Sequence, residues 1–274
     1  MTDPQKFLSR DGGRIAFRRW QPAAAARGIV IIVPGFNSHS AYYEWVAEQL
    51  NHDALLVFAI DLRGRGQSDG ERFTVASFAE YVGDVDQLIA LAKTQEPGLP
   101  LFLLGHSAGG VVAALYASER QDELQGLICE SFAYELPAPD FALSIIKGLS
   151  HVAPHAHVLK LKNADFSRDP AAVAAMDADP LIANEAQPAE TLAALVRADD
   201  QLRQSFGRIV LPLLILHGVE DKAAKPSGSQ YFFDAAGATD KTLKLYPGRY
   251  HDLLNDIGRD EVIGDISNWL DLHL

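Results

Sequence analysis

The residues able to do chemistry are a serine between glycines, an acid after a late strand and a histidine near the end of the chain. Gly105-His106-Ser107-Ala108-Gly109 follows the apolar run 101–104 and precedes the helix-like stretch 111–119. G-x-S-x-G between a strand and a helix is a nucleophile elbow, in which a strained turn exposes the serine hydroxyl and glycines let strand and helix approach. The helix start beneath Ser107 favours negative charge developing beside it. A serine hydroxyl is a weak nucleophile and needs a base within hydrogen-bond reach. Nine histidines are available. His106 adjoins the nucleophile and is expected to point into the packing of the elbow. His52 falls at a helix end, His273 at the chain terminus, and His151, His155 and His157 in a proline-broken stretch. His251, in Pro247-Gly248-Arg249-Tyr250-His251-Asp252 after the last strand, lies where an open α/β sheet places its functional loops, so it is the base.

A third group must orient His251, and the chain order of such a site is serine, acid, histidine. His217-Gly218-Val219-Glu220-Asp221 follows the strand at 213–216, and position alone leaves Glu220 and Asp221 both open. The oxyanion of an acyl-transfer intermediate needs two donors. One is the amide of Ala108, directly after the nucleophile. The other is expected from Pro34-Gly35-Phe36-Asn37-Ser38-His39, the loop after the third strand, with the Phe36 amide as the best placed.

These groups need a scaffold that brings distant loops to one edge. Residues 6–9 and 14–20 flank Asp11-Gly12-Gly13 as an antiparallel hairpin. The runs 29–33, 54–60, 101–104 and 124–130 are continuously apolar, as strands covered on both faces are, and 213–216 and 242–246 add two more. Between them Phe78, Tyr81, Val82, Val85, Leu88, Ile89 and Ala92 keep a helical period, and a last helix carries Val262, Ile266, Trp269 and Leu270. The expected fold is α/β, with a mostly parallel eight-stranded sheet flanked by helices. The alternation stops over 132–207, where Ala-rich helical patches are broken by six prolines and no strand is expected. That length exceeds a crossover or a bare loop. It predicts a helical insertion after strand 6, over the C-terminal edge of the sheet, leaving 1–131 and 208–274 as the core.

Composition narrows the function. Hydrophobic residues at 48% and charged residues at 22% fit a folded protein. A net charge of −12 repels phosphate backbones, so no nucleic-acid partner is expected. The single cysteine, Cys129, sits in a strand-like run and reads as core. Pro154 interrupts the helix that a metal pair among His151, His155 and His157 would require, so no metal is expected. Asp61-Leu62-Arg63-Gly64-Arg65-Gly66-Gln67-Ser68-Asp69-Gly70 lacks the lysine of a phosphate loop and reads as a structural turn. The opening residues lack the basic-then-apolar pattern of a secretion signal, and no apolar run approaches the ~20 residues of a membrane span, which predicts a cytoplasmic protein.

With these residues in hand, the sequence resembles the α/β-hydrolase superfamily, specifically the bacterial monoacylglycerol lipase and lysophospholipase-like group catalogued with serine aminopeptidases. The matching segments span nearly the whole chain: Asp61 to Ser68, Gly105-His106-Ser107-Ala108-Gly109-Gly110, Ser167-Arg168-Asp169-Pro170, Asp179-Pro180-Leu181, Asp240 to Tyr246, and Tyr250-His251-Asp252-Leu253-Leu254-Asn255. The resemblance implies Ser107, Asp221 and His251 as the triad, deciding for Asp221 over Glu220. It also implies that 132–207 is a cap roofing an acyl-chain pocket. One departure stands out: the group usually has His-Gly at the start of the oxyanion loop, where this chain has Pro34-Gly35. Proline offers no side-chain hydrogen bond, so this loop must be held by other means, and the bulky Phe36 narrows the pocket near the scissile bond.

The leading expectation is therefore a cofactor-independent serine hydrolase of single-chain carboxylic esters. An aminopeptidase or amidase would need an acidic anchor for the substrate amine, for which Glu185 and Glu190 are available. A non-catalytic receptor would not need all three triad groups. In 141–150, Phe141, Ile145, Ile146 and Leu149 recur at helical spacing; Ile145 and Leu149 are the expected contacts with substrate or with a lipid surface.

Overall fold

The computed structural model describes residues 2–134 and 148–274. The expected hairpin is present as β1 (Gln5–Leu8) and β2 (Arg14–Trp20), paired antiparallel. The buried strands are β3 (Gly28–Val33), β4 (Leu55–Ile60), β5 (Leu101–His106), β6 (Gly126–Glu130) and β9 (Leu213–Gly218), with β10 (Lys241–Tyr246) at the far edge. They form one eight-stranded sheet in the order β1-β2-β4-β3-β5-β6-β9-β10. Every pair from β4 to β10 in that order is parallel. Parallel strands end on the same edge, so the loops after β3, β5, β9 and β10 all emerge together.

Helices cover both faces. α1 (Glu44–His52) and a C-terminal helix, Arg259–His273, bury Val46, Leu50, Val262, Ile266 and Leu270 on one side. α2 (Phe78–Gln95) and α3 (Ala108–Arg120) pack on the other. α2 starts at a capping box, Ser77 with Glu80, and buries Tyr81, Val85, Leu88, Ile89 and Ala92 at the expected spacing, while Val82 is only half-buried. Each fully buried Leu, Ile or Val side chain contributes about 1.5–3 kcal/mol relative to exposure. Cys129 is fully buried in β6, where burial pushes its thiol far up, so it is a core residue.

Most expected strand boundaries shift by one or two residues. The strand over 54–60 starts at Leu55 because Ala54 adopts φ 58°, and the strand over 124–130 starts at Gly126. The expectation of no strand within 132–207 is corrected. β7 (His157–Leu159) and β8 (Gln187–Pro188) pair antiparallel in a small second sheet. Three and two residues are too few to carry an alternating pattern, so periodicity could not register them. Beyond the helical residues 148–152, the described part of this segment carries the helices α4 (Pro170–Ala178), N-capped by Asp169, and α5 (Ala189–Ser205). α5 packs on α3 and α2, with Leu192, Leu195, Ala198 and Leu202 in the main core. A satellite cluster of Phe166, Met176 and Ile182 lies earlier in the segment. After β9 comes α6 (Pro226–Ala235), and the C-terminal helix is α7. Among the described residues no helix is long and apolar enough to cross a membrane.

Candidate active site

Ser107 sits between β5 and α3 with φ 55° and ψ −122°, a strained conformation for a residue with a side chain. Two close approaches hold it there. A Cβ on Gly109 would lie 2.0 Å from Val33 O, so only glycine lets α3 meet β3. A Cβ on Gly35 would lie 2.6 Å from Ser107 Cβ, so the loop after β3 runs directly against Ser107. The Ser107 amide donates to Glu130 O at 2.9 Å, tying the turn to β6.

The structure brings the three expected residues together. Ser107 Oγ lies 2.8 Å from His251 Nε2, and His251 Nδ1 lies 2.7 Å from Asp221 Oδ2. Asp221 Oδ1 accepts from the amides of Ala223 at 2.7 Å and Ala224 at 2.9 Å, so its orientation is set. Burial alone would raise this carboxyl, but the attraction of His251 and the contacts with His217 and His251 outweigh it and hold it well below the usual carboxylate range. Glu220, the other acid left open by position, is exposed.

Several partners went unread in the sequence. His217 Nε2 lies 3.0 Å from Asp221 Oδ2, and its Nδ1 is 2.6 Å from Ser229 Oγ. Its spacing of four from Asp221 was the available signal. Phe166 packs edge-on against the His251 ring at 4.9 Å, and its carbonyl accepts from the Asp252 amide. Arg168 binds Asp256 through its amide at 2.7 Å and its Nε at 2.8 Å. The segment between β6 and β9 is thereby fastened to the His251 loop.

His106 points inward as expected, fully buried, with Tyr43 OH at 3.2 Å from Nδ1 and Glu130 Oε2 at 3.5 Å from Nε2. Burial pushes its pKa well down, and the adjacent His251 adds to this. His106, Glu130 and Asp252 bring ligand-type atoms within 4.8 Å of one another, but the carboxylates are engaged by the Leu253 amide and by Asn255. Burial pushes the Glu130 carboxyl well up and that of Asp252 up to about 6. For Asp252 the folded state then holds its proton where the unfolded chain, titrating near 3.9, has lost it. Its contribution to stability is full below about pH 4 and is lost as pH rises through about 6. Asp252→Asn keeps the oxygen that accepts from the Asn255 amide, gives up the bond from Asn255 Nδ2 to Oδ2 at both pH values, and removes the titration. Relative to wild type, the variant should therefore be more stable at pH 7 than at pH 4, read as a more positive shift in Tm at the higher pH. Thermal melts at both pH values check this, and equal Tm shifts at the two would refute it.

The remaining expected site residues divide. Phe36 and Ala108 flank Ser107, one on the loop after β3 and the other opening α3, and both are buried. Leu149 is half-buried within the helical residues 148–152, whereas Ile145, Phe141 and Ile146 lie outside the described residues. Glu185, considered as an amine anchor, is instead committed. Only 2% exposed, its carboxylate pairs with Arg65 and accepts from the Asn37 amide at 3.0 Å and from Gln187 Nε2 at 2.8 Å. Its charge is matched inside the fold, so it does not face a substrate amine. Glu190, half-buried in the first turn of α5, makes no such ion pair among the described residues.

Comparison with known proteins agrees with this architecture. Residues 24–258 match the family model described as serine aminopeptidase, S33 (Hydrolase_4). The monoacylglycerol lipase of Mycolicibacterium smegmatis is 32% identical over 271 residues, covering 98% of this chain and 96% of that protein. The Homo sapiens monoglyceride lipase is 32% identical over 273 residues, covering 98% and 90%. The crystal structure of the Paleococcus ferrophilus monoacylglycerol lipase superposes with a TM-score of 0.84 at 30% identity, covering 94% of this chain and 99% of that one. On its sheet, its elbow and these full-length matches, the chain belongs to the serine aminopeptidase S33 (Hydrolase_4) family, with the α/β-hydrolase fold.

Proposed function

We propose that Ser107, His251 and Asp221 hydrolyse the carboxylic ester of single-chain acyl substrates, monoacylglycerols first among them, through an acyl-enzyme. The chain is a carboxylic ester hydrolase. The observation that carries the catalytic assignment is the unbroken relay from Ser107 Oγ through His251 to Asp221, at 2.8 and 2.7 Å. His251 Nε2 takes the serine proton as Oγ adds to the ester carbonyl, and the oxyanion meets the amides of Phe36 and Ala108. Collapse breaks the bond to the alcohol, which leaves with the proton from His251. Water, deprotonated by the same nitrogen, then adds to the acyl-enzyme and releases the acid and free Ser107. Asp221 keeps its charge and stabilises the imidazolium. Every step is a proton or acyl transfer, so the reading calls on no cofactor.

The substrate class is supported by the monoacylglycerol lipases among the relatives. The commitment of Glu185 to Arg65 removes one of the two anchors an aminopeptidase reading relied on. We further take 132–207 as a cap with α5 as its foot on the core, and Leu149 and Ile145 as contacts with the acyl chain or a lipid surface. Val152, 85% exposed beside Leu149, favours that surface contact. A fluorophosphonate should label Ser107, read by mass spectrometry of the intact chain and its peptides. Across p-nitrophenyl esters, monoacylglycerols and aminoacyl amides, kcat/KM is expected to be highest for the esters. Faster turnover of the aminoacyl amides would overturn the ester assignment.

A further inference from the structure

We infer that Glu185, from the segment between β6 and β9, positions the oxyanion loop, doing for this chain what Pro34 cannot do by side-chain hydrogen bonding. The inference rests on the assignment of the Phe36 amide to the oxyanion site and adds the residue that aims it.

The loop after β3 is pressed on Ser107 at Gly35, but contact alone does not orient its peptide planes. Asn37 adopts φ 52°, a left-handed conformation that asparagine tolerates better than most residues with a side chain, so the loop turns sharply at this position. The Asn37 amide donates to Glu185 Oε1 at 3.0 Å. The peptide unit is planar, so fixing that N–H also fixes the Phe36 carbonyl, leaving only the two soft dihedrals of Phe36 between it and the Phe36 amide.

The same carboxylate reaches those dihedrals from the side-chain end. Glu185 pairs with Arg65, whose guanidinium lies 4.1 Å from the centroid of the Phe36 ring. Arg65 is also fully enclosed, with Gln187 Oε1 accepting from Nη2 at 2.8 Å and Tyr81 OH at 3.4 Å from Nε. One buried carboxylate therefore grips the amide after Phe36 directly and the Phe36 ring through Arg65. Among the described residues neither the Phe36 nor the Ala108 amide is engaged in a hydrogen bond, so both are free to meet an oxyanion.

Other ties run the same way. Asn37 Nδ2 donates to Asn163 Oδ1 at 3.0 Å, and His39 Nε2 lies 2.8 Å from Asp179 Oδ2. All three anchors, Asn163, Asp179 and Glu185, follow β6 in the chain and precede β9, so the segment supplies catalytic geometry to the core. A buried ion pair adds little net stability against an apolar replacement, which leaves specification of geometry as the role of this one.

The test separates positioning from folding. Glu185→Asp keeps the charge opposite Arg65 and withdraws the acceptor from Asn37 by one methylene. A misplacement of about 1 Å at a catalytic group can cost about 100-fold. We expect kcat on a short p-nitrophenyl ester, per Ser107 titrated to completion with fluorophosphonate, to fall about 10- to 100-fold while KM changes less than about threefold. A residue that only supports the fold would lower the titrated fraction and leave kcat per titrated serine unchanged; that outcome overturns the inference. If Glu185→Asp does not fold, Glu185→Gln keeps the length and an acceptor but loses the charge-assisted grip, and about a tenfold fall in the same ratio is expected. A wild-type ratio in that variant overturns the inference equally. Ser107→Ala distinguishes the two levels. If it stays active, the site itself is misassigned. If it is dead while Glu185→Asp turns over normally per serine, only the positioning role fails.

Discussion

Ser107→Ala is expected to lower kcat by about 10⁴ to 10⁶ while leaving the fold intact, as loss of the nucleophile does in serine triads. The substitution removes one oxygen, whose side-chain hydrogen bond is to His251 Nε2. The φ of 55° at this position is as strained for alanine as for serine, so the elbow gains no new strain. The helix α3, the Gly109 contact with β3 and the amide bond of residue 107 to Glu130 O all persist without the hydroxyl. The residual rate would come from the oxyanion amides and from binding alone. Steady-state rates on a short ester, with circular dichroism and a melting curve for the purified variant, give the answer. A tenth of wild-type activity in a folded variant would remove Ser107 from the mechanism.

The second large effect is at the orienting acid. Asp221→Asn is expected to cost about 10⁴ in kcat, because the wrong tautomer of His251 is favoured. The local geometry dictates how the amide must sit. Two backbone amides, of Ala223 and Ala224, donate to Oδ1 at 2.7 and 2.9 Å, so the asparagine oxygen stays there. Its NH₂ then takes the place of Oδ2, 2.7 Å from His251 Nδ1. Nδ1 becomes an acceptor, the ring proton moves to Nε2, and Nε2 can no longer take the proton of Ser107. Fluorophosphonate labelling should slow in parallel with ester turnover, since both need the same proton transfer. A variant that is folded and labels at the wild-type rate would show that Asp221 does not orient the base.

Much of this site was legible in the sequence because its signals are local. The elbow is five consecutive residues whose glycines report close backbone approach, and β5 and α3 on either side carry their own periods. His251 follows from its place after the last strand of a parallel sheet. The choice between Glu220 and Asp221 did not follow from position. Adjacent residues in a loop point different ways, and only the turn that lets Asp221 Oδ1 meet the amides of Ala223 and Ala224 aims its other oxygen at His251. Glu220 meanwhile stays exposed.

Glu185 makes the limit plainest. As a sequence feature it was one of two acids in an Ala-rich stretch, available to a substrate amine. Its partners Asn37 and Arg65 are 148 and 120 residues away in the chain, and no local pattern encodes such a pairing. The strands β7 and β8 were likewise too short for a period to register. Hydrophobic periodicity and glycine placement are properties of neighbouring residues, so the sheet, the elbow and the places of Ser107 and His251 could be read along the chain. Which acid faces the base was legible only through the family resemblance, and what holds the loop after β3 was not legible at all before folding, because a buried charge takes whichever partner the packing brings within hydrogen-bond reach.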